Sequence, residues 1–364
     1  MITGAPRRVA VAMSGGVDSS VAAALIAASG AEVFGLTLRL SSCAGDEAVR
    51  SRRPCCAARD VEDARAVAGR IGIPHHVVDA REEFRRAVVE PFAAAYAAGR
   101  TPVPCAACNA AVKFGLLLDR ALALGADALA TGHYARIEMA GGRARLLTGE
   151  NRERDQAYFL ALVPATRLAR ALFPLGSLGK DEVRAKAREL GLANWSKPDS
   201  QELCFVPGDD TGAYLGGVLP DRPGRVVDSS GKALGEHRGI HFFTVGQRRG
   251  LGVATGVPLH VIALRPETAE VVVGSGGELA SGGCEVEALN SIAGEWPGEA
   301  VVRIRSRHPG VVSRVERMGG DRARAVFREP QRSVTPGQLA VFLSGTEVLG
   351  GGIIARAIPG KEGG

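Results

Sequence analysis

The chain has 364 residues, 46% hydrophobic and 23% charged, with 45 Lys and Arg against 39 Asp and Glu for a net charge of +6. This composition excludes an intrinsically disordered chain and leaves apolar surface for two or three cores. A mild basic excess suits a polyanionic partner without requiring one.

Met1 to Arg8 leads straight into Val9-Ala10-Val11-Ala12-Met13 without the apolar stretch of a secretion signal, and no later run reaches the length of a membrane span. A soluble, cytoplasmic protein with no membrane partner is expected. Its seven cysteines then serve chemistry, metal binding or burial rather than structural disulfides.

Along the chain, Val9 to Met13 reads as a strand, Ser19 to Ala28 as a helix and Val33 to Leu40 as a strand. Arg59 to Ile71 follows as a helix, His76 to Asp79 as a strand, and Glu82 to Ala98 as a helix broken or bent at Pro91. Ala111 to Leu124 is a helix and Ala128 to Thr131 a strand. This alternation predicts an α/β domain, residues 1–164, whose parallel sheet binds ligands beyond its carboxyl edge. Residues 165–255 read as a small mixed connector domain, with a helix at Lys180 to Leu190 and the apolar run Cys204-Phe205-Val206. In residues 256–364, short Val- and Ile-rich segments recur between Gly, Pro and charged turns: Leu259 to Leu264, Glu270 to Val273, Ala300 to Ile304, Ala323 to Phe327 and Leu339 to Leu343. Their spacing predicts a C-terminal β-barrel.

Ser14-Gly15-Gly16-Val17-Asp18-Ser19-Ser20 lies between the first strand and the first helix. Glycines let backbone N–H groups close on an anion, the helix N-terminus adds its dipole, and the serines add donors, so a pyrophosphate fits there. It is neither a Walker loop nor a G-x-G-x-x-G fingerprint. It resembles the PP-loop of ATP pyrophosphatases, which split ATP into AMP and pyrophosphate while adenylating a substrate oxygen. Asp18 is a candidate Mg²⁺ ligand or an N-cap for the helix.

Thr101-Pro102-Val103-Pro104-Cys105-Ala106-Ala107-Cys108-Asn109 puts two thiols where a helix opens, a setting that favours thiolate. Downstream, Lys197-Pro198-Asp199-Ser200-Gln201-Glu202-Leu203-Cys204-Phe205 carries a third. Read by itself, Cys204 is a buried strand cysteine. The two segments together are similar to those of the tRNA-specific 2-thiouridylases, in which a Cys-Asn pair after a T-P-x-P loop and an Asp-Ser-x-x-x-Cys-Phe segment each hold a catalytic cysteine. The resemblance implies Cys108 and Cys204. Val103 stands where family members commonly carry Asn, and Cys105 occupies a position that is Asp in some and Cys in others. Cys43, Cys55 and Cys56 have no clear role, and Cys284 reads as structural.

The resemblance continues through Thr131-Gly132-His133-Tyr134, Arg154-Asp155-Gln156-Ala157-Tyr158-Phe159-Leu160, Thr244 to Gly252 with its paired Arg248 and Arg249, Thr335-Pro336-Gly337-Gln338 and Leu349 to Ile354. It implies ATP contacts from Ala12, Met13, Ser14, Gly15, Gly16, Val17, Asp18, Ser19, Leu38 and Gly132. It also implies tRNA contacts from Val103, Pro104, Cys105, His133, Arg154, Asp155, Gln156, Arg305, Ser306 and Gln338. Arg303, Arg305 and Arg307 alternate, which on a strand puts three guanidinium groups on one face.

The implied reaction is 2-thiolation of the wobble uridine, position 34, of tRNAs for Lys, Glu and Gln. ATP with Mg²⁺ activates the C2 oxygen, and sulfur arrives as a persulfide on Cys204 from a cysteine desulfurase or relay protein. Two other enzymatic readings stay open: a 4Fe–4S cluster on Cys105, Cys108 and Cys204, and a PP-loop ligase acting on a small metabolite. A non-catalytic tRNA-binding protein is the alternative of another class.

Overall fold

The computed structural model describes residues 7–40, 58–198, 203–253 and 256–360. Cys43, Cys55, Cys56 and the 199–202 part of the second cysteine segment lie outside them. Among the described residues no helix is long and apolar enough to cross a membrane.

Strands β1 (Arg8–Ala12), β2 (Glu32–Arg39), β3 (His75–Asp79), β4 (Ala128–Ala130) and β7 (Ala171–Leu172) form a parallel sheet in the order β3-β2-β1-β4-β7. The inner residues of β1 and β2 are buried on both faces, which is why these strands read as unbroken apolar runs. Ala10 points into a cluster with Phe84, Val88, Val112, Phe114 and Leu117. Val9 and Val11 point the other way, among Val21, Ala64, Val183 and Ala187. The helices covering the second face are α1 (Val17–Ala28), α2 (Ala58–Ile71) and α5 (Lys180–Glu189). Because β1 is flanked by β2 and β4, the strand order reverses there, and the turns after β1 and β4 open into one crevice.

The first face is covered by two helices with π segments. In α3, Arg81–Phe84, Arg85–Val89 and Glu90–Ala97 run on without a break, and the π turn at Arg85–Val89 lies just before Pro91. Proline lacks the N–H and crowds the preceding turn, so the wider winding replaces the expected break. Helix α4 joins Pro104–Ala107, Cys108–Leu117 and Leu118–Ala123, with Pro104 at its first turn and both thiols inside it.

A four-stranded sheet follows in the order β10-β11-β8-β9, from β8 (Gly224–Val227), β9 (Ala233–His237), β10 (His260–Arg265) and β11 (Glu270–Gly274). The segments expected to open the barrel, Leu259 to Leu264 and Glu270 to Val273, thus belong here, because β11 pairs in parallel with β8. Cys204-Phe205-Val206 is a turn rather than a strand: Val206 N–H donates to Leu203 O (2.9 Å), and Val206 packs with Phe92 and Leu215.

The C-terminal barrel is made of β12 (Ala280–Ser291), β15 (Ala323–Arg332), β14 (Val311–Arg317), β13 (Glu299–Arg303), β16 (Leu339–Ser344) and β17 (Glu347–Pro359), and the β12–β17 pairing closes it. A hairpin absent from the sequence reading, β5 (Ala135–Ala140) with β6 (Arg143–Thr148), extends the same sheet: Glu347 and Val348 of β17 pair with Leu147 and Leu146. Its turn is Gly141-Gly142, both at positive φ (57° and 76°), the geometry of a tight two-residue hairpin.

Candidate active site

The segment after β1 folds as an anion cradle. Gly15 takes φ +73°, and a Cβ there would lie 2.3 Å from Asp60 O, so only glycine lets α2 abut the loop. Gly16 is the N-cap of α1 and supplies no side-chain cap. Ser14 N–H donates to Ser19 Oγ (3.1 Å), and the Ser19 and Ser20 hydroxyls donate to Gly16 O (3.0 and 2.9 Å). The serines thereby brace the loop from within. Gly132, after β4, backs onto α1: a Cβ there would meet Asp18 C and Ser19 N at 2.8 Å.

Asp18 is the second residue of α1, so it is not the cap. Its Oδ1 accepts from Tyr134 OH (2.8 Å) and Lys180 Nζ (2.8 Å), and Oδ2 accepts from Lys180 Nζ at 2.9 Å. Lys180 is buried. A carboxylate neutralised by a buried ammonium and a phenol is a poor Mg²⁺ ligand. Among the described residues no three His, Cys, Asp or Glu side chains gather to hold a metal ion. Both Asp18 oxygens are thus already engaged by side chains of this chain.

Two further side chains reach the loop from beyond the sheet. Asn194 Nδ2 donates to Gly15 O (3.0 Å) and Ser20 Oγ (2.8 Å). Lys197 Nζ donates to Gly15 O (3.2 Å), Asp60 Oδ1 (2.7 Å) and Asp63 Oδ2 (2.6 Å). Burial alone would lower the Lys197 ammonium, but its bonds to Asp60 and Asp63 hold it above 10.5. Sequence reading assigned no role to Lys180, Asn194 or Lys197, since only folding brings them to the loop.

The loop faces a cleft of about 1460 Å³. Of the residues implied for ATP, Ala12, Met13, Ser14, Gly16, Val17, Asp18, Ser19, Leu38 and Gly132 line it, with Leu36 and Leu40 extending the apolar strip beside Leu38; Gly15 lies behind. The barrel supplies the opposite wall through Val301, Arg303, Ser306 and Arg307. Of the residues implied for tRNA, His133, Arg154, Asp155, Gln156 and Ser306 line the cleft.

Several of these are committed inside the protein. Asp155, its side chain 3% exposed, accepts from Gly149 N–H and Ala157 N–H (3.0 Å each) through Oδ1 and from Arg303 (2.7 Å) through Oδ2. It is a clamp between sheet domain and barrel, with little carboxylate left for an RNA. Gln156 Oε1 accepts from Tyr134 N–H (3.1 Å). His133 is bonded to Thr131 Oγ1 through Nδ1 (2.7 Å) and ringed by Phe114 and Phe173. Burial, seconded by the charge of Lys113, holds it well below 6.5 and neutral. The arginine alternation also ends early, because β13 stops at Arg303: Arg303 turns inward to Asp155, while Arg305 and Arg307 stay exposed on the following turn.

Cys108 is buried, and burial pushes its thiol above 9.0, with Lys113 pulling it back and Cys105 adding to the rise. The helix start does not make it a standing thiolate. Cys204 is partly buried and packs on the same apolar cluster that contains Cys108, while Cys105 is exposed. Neighbouring Asn109 donates Nδ2–H to Phe159 O (3.0 Å). Val103 is half-buried, Pro104 buried, and Gln338 Nε2 donates to Thr101 O (3.0 Å), tying the barrel to the loop that leads into α4.

A Gly-rich, serine-braced cradle at the reversal point of a parallel sheet, walled by basic residues, defines a nucleotide-binding protein of the HUP class carrying a PP-loop. Residues 7–208 match the family described as tRNA methyl transferase HUP domain, 212–275 the tRNA methyl transferase PRC-barrel domain, and 281–354 the aminomethyltransferase beta-barrel domain. The tRNA-specific 2-thiouridylase MnmA of Solibacter usitatus (strain Ellin6076) is 48% identical over 95% of this chain and 98% of its own. That of Paramagnetospirillum magneticum (strain ATCC 700264 / AMB-1) is 49% identical over 98% and 96%. The chain belongs to the tRNA-specific 2-thiouridylase family.

Proposed function

We propose that this chain is a cytoplasmic tRNA-uridine 2-sulfurtransferase that uses ATP to replace the C2 oxygen of the wobble uridine by sulfur, in tRNAs for Lys, Glu and Gln. The observation that carries the reading is the packing of Cys204 on the cluster that buries Cys108, on the helix whose Lys113 lines the phosphate cleft. That packing supports a reading in which one region of the sheet domain serves both the sulfur step and the adenylation step.

In this reading the N–H groups around Gly15 and Gly16 hold pyrophosphate at the start of α1, and Leu36, Leu38 and Leu40 cover the adenine. Uracil oxygen is a poor leaving group until it is adenylated, when it departs as AMP. A persulfide on Cys204, loaded by a cysteine desulfurase or relay protein, attacks C2 through its outer sulfur and AMP leaves. Cys108 then attacks Cys204 Sγ, the S–S bond breaks, thiocarbonyl remains on the base, and a Cys108–Cys204 disulfide forms that an external thiol reduces. Mg²⁺ held by ATP phosphates and water is compatible with the cleft, but no protein carboxylate is assigned to it.

The test is mass spectrometry of nucleosides from tRNA incubated with ATP, a sulfur donor and the enzyme. Wild type should exchange oxygen for sulfur, whereas Cys108→Ala and Cys204→Ala should not. A gain of methyl instead would support the methyl-transfer wording of the family descriptions. Undiminished thiolation in both variants would overturn the cysteine assignment.

A further inference from the structure

We propose that Lys113 is a catalytic residue whose ammonium holds the α-phosphate of ATP, and then of the adenylated base, on the cysteine side of the cleft. The inference rests on the function proposed above and deepens it by naming the group that meets the transferred phosphoryl.

The cations that line the cleft are not equivalent. Lys197 is engaged by Asp60 and Asp63, and Arg303 by Asp155. Arg152, Arg154 and Arg307 are exposed. Lys113 lines the same cleft but is half-buried, and among the described residues no carboxylate or other acceptor meets its ammonium. A charge partly withdrawn from water without a partner is costly, a cost that an arriving anion relieves.

The winding of α4 decides where this charge stands. Residues Cys108–Leu117 form a π segment. In α winding, at 3.6 residues per turn, side chains five positions apart diverge by about 140°. Hydrogen bonds of the π type join residues five apart and bring them onto nearly one side. Lys113, five residues after Cys108, therefore stands toward the side of the helix that carries the thiol. Leu117, about one turn further on, lines the cleft with it. The helix is pinned on both sides of Lys113. Asn109 donates to Phe159 O at 3.0 Å, and Phe114 packs on His133 and Phe173 with ring centroids 6.2 and 5.9 Å apart. The charge of Lys113 is felt by both the Cys108 thiol and the His133 imidazole.

With pyrophosphate at the start of α1 and adenine on the leucine strip, the α-phosphate falls between the two. When the C2 oxygen attacks the α-phosphorus, the bond to the bridging oxygen breaks and pyrophosphate leaves with its electron pair. Charge building on the other α-phosphate oxygens is neutralised by the ammonium, which keeps its protons. When sulfur later attacks C2, the C2–O bond breaks and AMP departs with that oxygen and its electron pair. The extra negative charge again arises beside Lys113.

The test uses the full chain and compares AMP with adenosine, which differ only in that phosphate, by calorimetric titration. Lys113→Met should weaken AMP about tenfold or more, the loss expected for a charged hydrogen bond, and leave adenosine unchanged. Lys113→Arg, which keeps the charge, should recover most of the AMP affinity. Pyrophosphate release from ATP with tRNA present and no sulfur donor gives a second readout. There Lys113→Met should lower kcat about 100-fold and leave the KM for tRNA unchanged. If Lys113→Met does not fold, Lys113→Gln should show the same contrast between AMP and adenosine. Equal AMP affinity in wild type and variant, or an equal loss for AMP and adenosine, overturns the proposal. Binding of AMP involves neither tRNA nor sulfur, so the AMP contrast without thiolation by wild type would sink the functional reading alone. Thiolation without the contrast would sink this one alone.

Discussion

Three glycines separate the conformational from the steric demands of the phosphate cradle. Gly15 carries both: φ is +73°, and an added Cβ would stand 2.3 Å from Asp60 O and 3.0 Å from Asp60 C and Cα, all backbone atoms that cannot swing aside. Gly132 carries only the steric demand, with Asp18 C and Ser19 N at 2.8 Å and no positive φ. Gly30, at the far end of α1, carries only the conformational one, since φ is +84° and nothing lies within 4 Å. A left-handed alanine costs about 1–2 kcal/mol, and forcing a methyl into filled space about 1–3 kcal/mol. Gly30→Ala should therefore lower stability by about 1–2 kcal/mol and leave ATP affinity intact. Gly132→Ala should push α1 from the sheet edge and weaken ATP by about tenfold, for which about 1.4 kcal/mol of misplacement suffices. Gly15→Ala sums both demands, about 2–5 kcal/mol, and should abolish measurable binding. Calorimetric titration with a non-hydrolysable ATP analogue, beside denaturant melts, reads both quantities. If Gly30→Ala weakens ATP as much as Gly15→Ala, the steric argument fails.

His133 is held well below 6.5, and His75, His237, His241 and His308 are lowered by burial too. In each case the unfolded chain takes up a proton that the folded one resists, so their contribution is complete above 6.5 and drains away as pH falls through 6.5 toward the lowered values. Denaturant midpoints should drop between pH 7.5 and 5.5, and His133→Asn should flatten that drop; an identical slope in the variant would count against His133 as a main contributor. For the cysteines, iodoacetamide at neutral pH should label exposed Cys105 first, Cys108 slowly and Cys284, pushed up to about 12 by burial, last; equal rates for Cys105 and Cys108 would remove burial as the control. Arg303→Met strands the buried Asp155 carboxylate and should cost about 3–5 kcal/mol, whereas Asp155→Asn, which keeps an acceptor for Gly149 and Ala157, should cost less; a melt showing the reverse order would contradict the clamp.

The sheet domain was legible because its parallel strands are buried on both faces and show as apolar runs, and because the loop after β1 is local: cradle, cap and helix are written in consecutive residues. The barrel was legible as a kind of structure but not in its membership. Alternation marks β10 and β11 as strands, yet nothing in it says that β11 pairs with β8 rather than with the barrel. The β5–β6 hairpin did leave a signal, Gly141-Gly142 between two alternating segments, but its partner strand lies far along the chain. Arg303, Arg305 and Arg307 illustrate the converse, since alternation predicts a shared face only while the strand lasts. Lys180 and Asn194 had no motif to betray them, and Lys197 opened the second cysteine segment without a role of its own: each is an ordinary polar residue until tertiary structure brings it against Gly15, Asp18 or Ser20.

The pairing of β17 has a consequence for how the molecule is made. That strand touches β16, closes the barrel on β12 and completes β6, so three edges wait for one segment. During synthesis β6 emerges roughly 200 residues before its partner, an interval of about 10–40 s at usual elongation rates. For all that time a nascent hairpin edge stays open to other chains. Truncation anywhere before Glu347 would leave the same edge, and that of β12, permanently bare, so clipped products should aggregate rather than persist as soluble fragments.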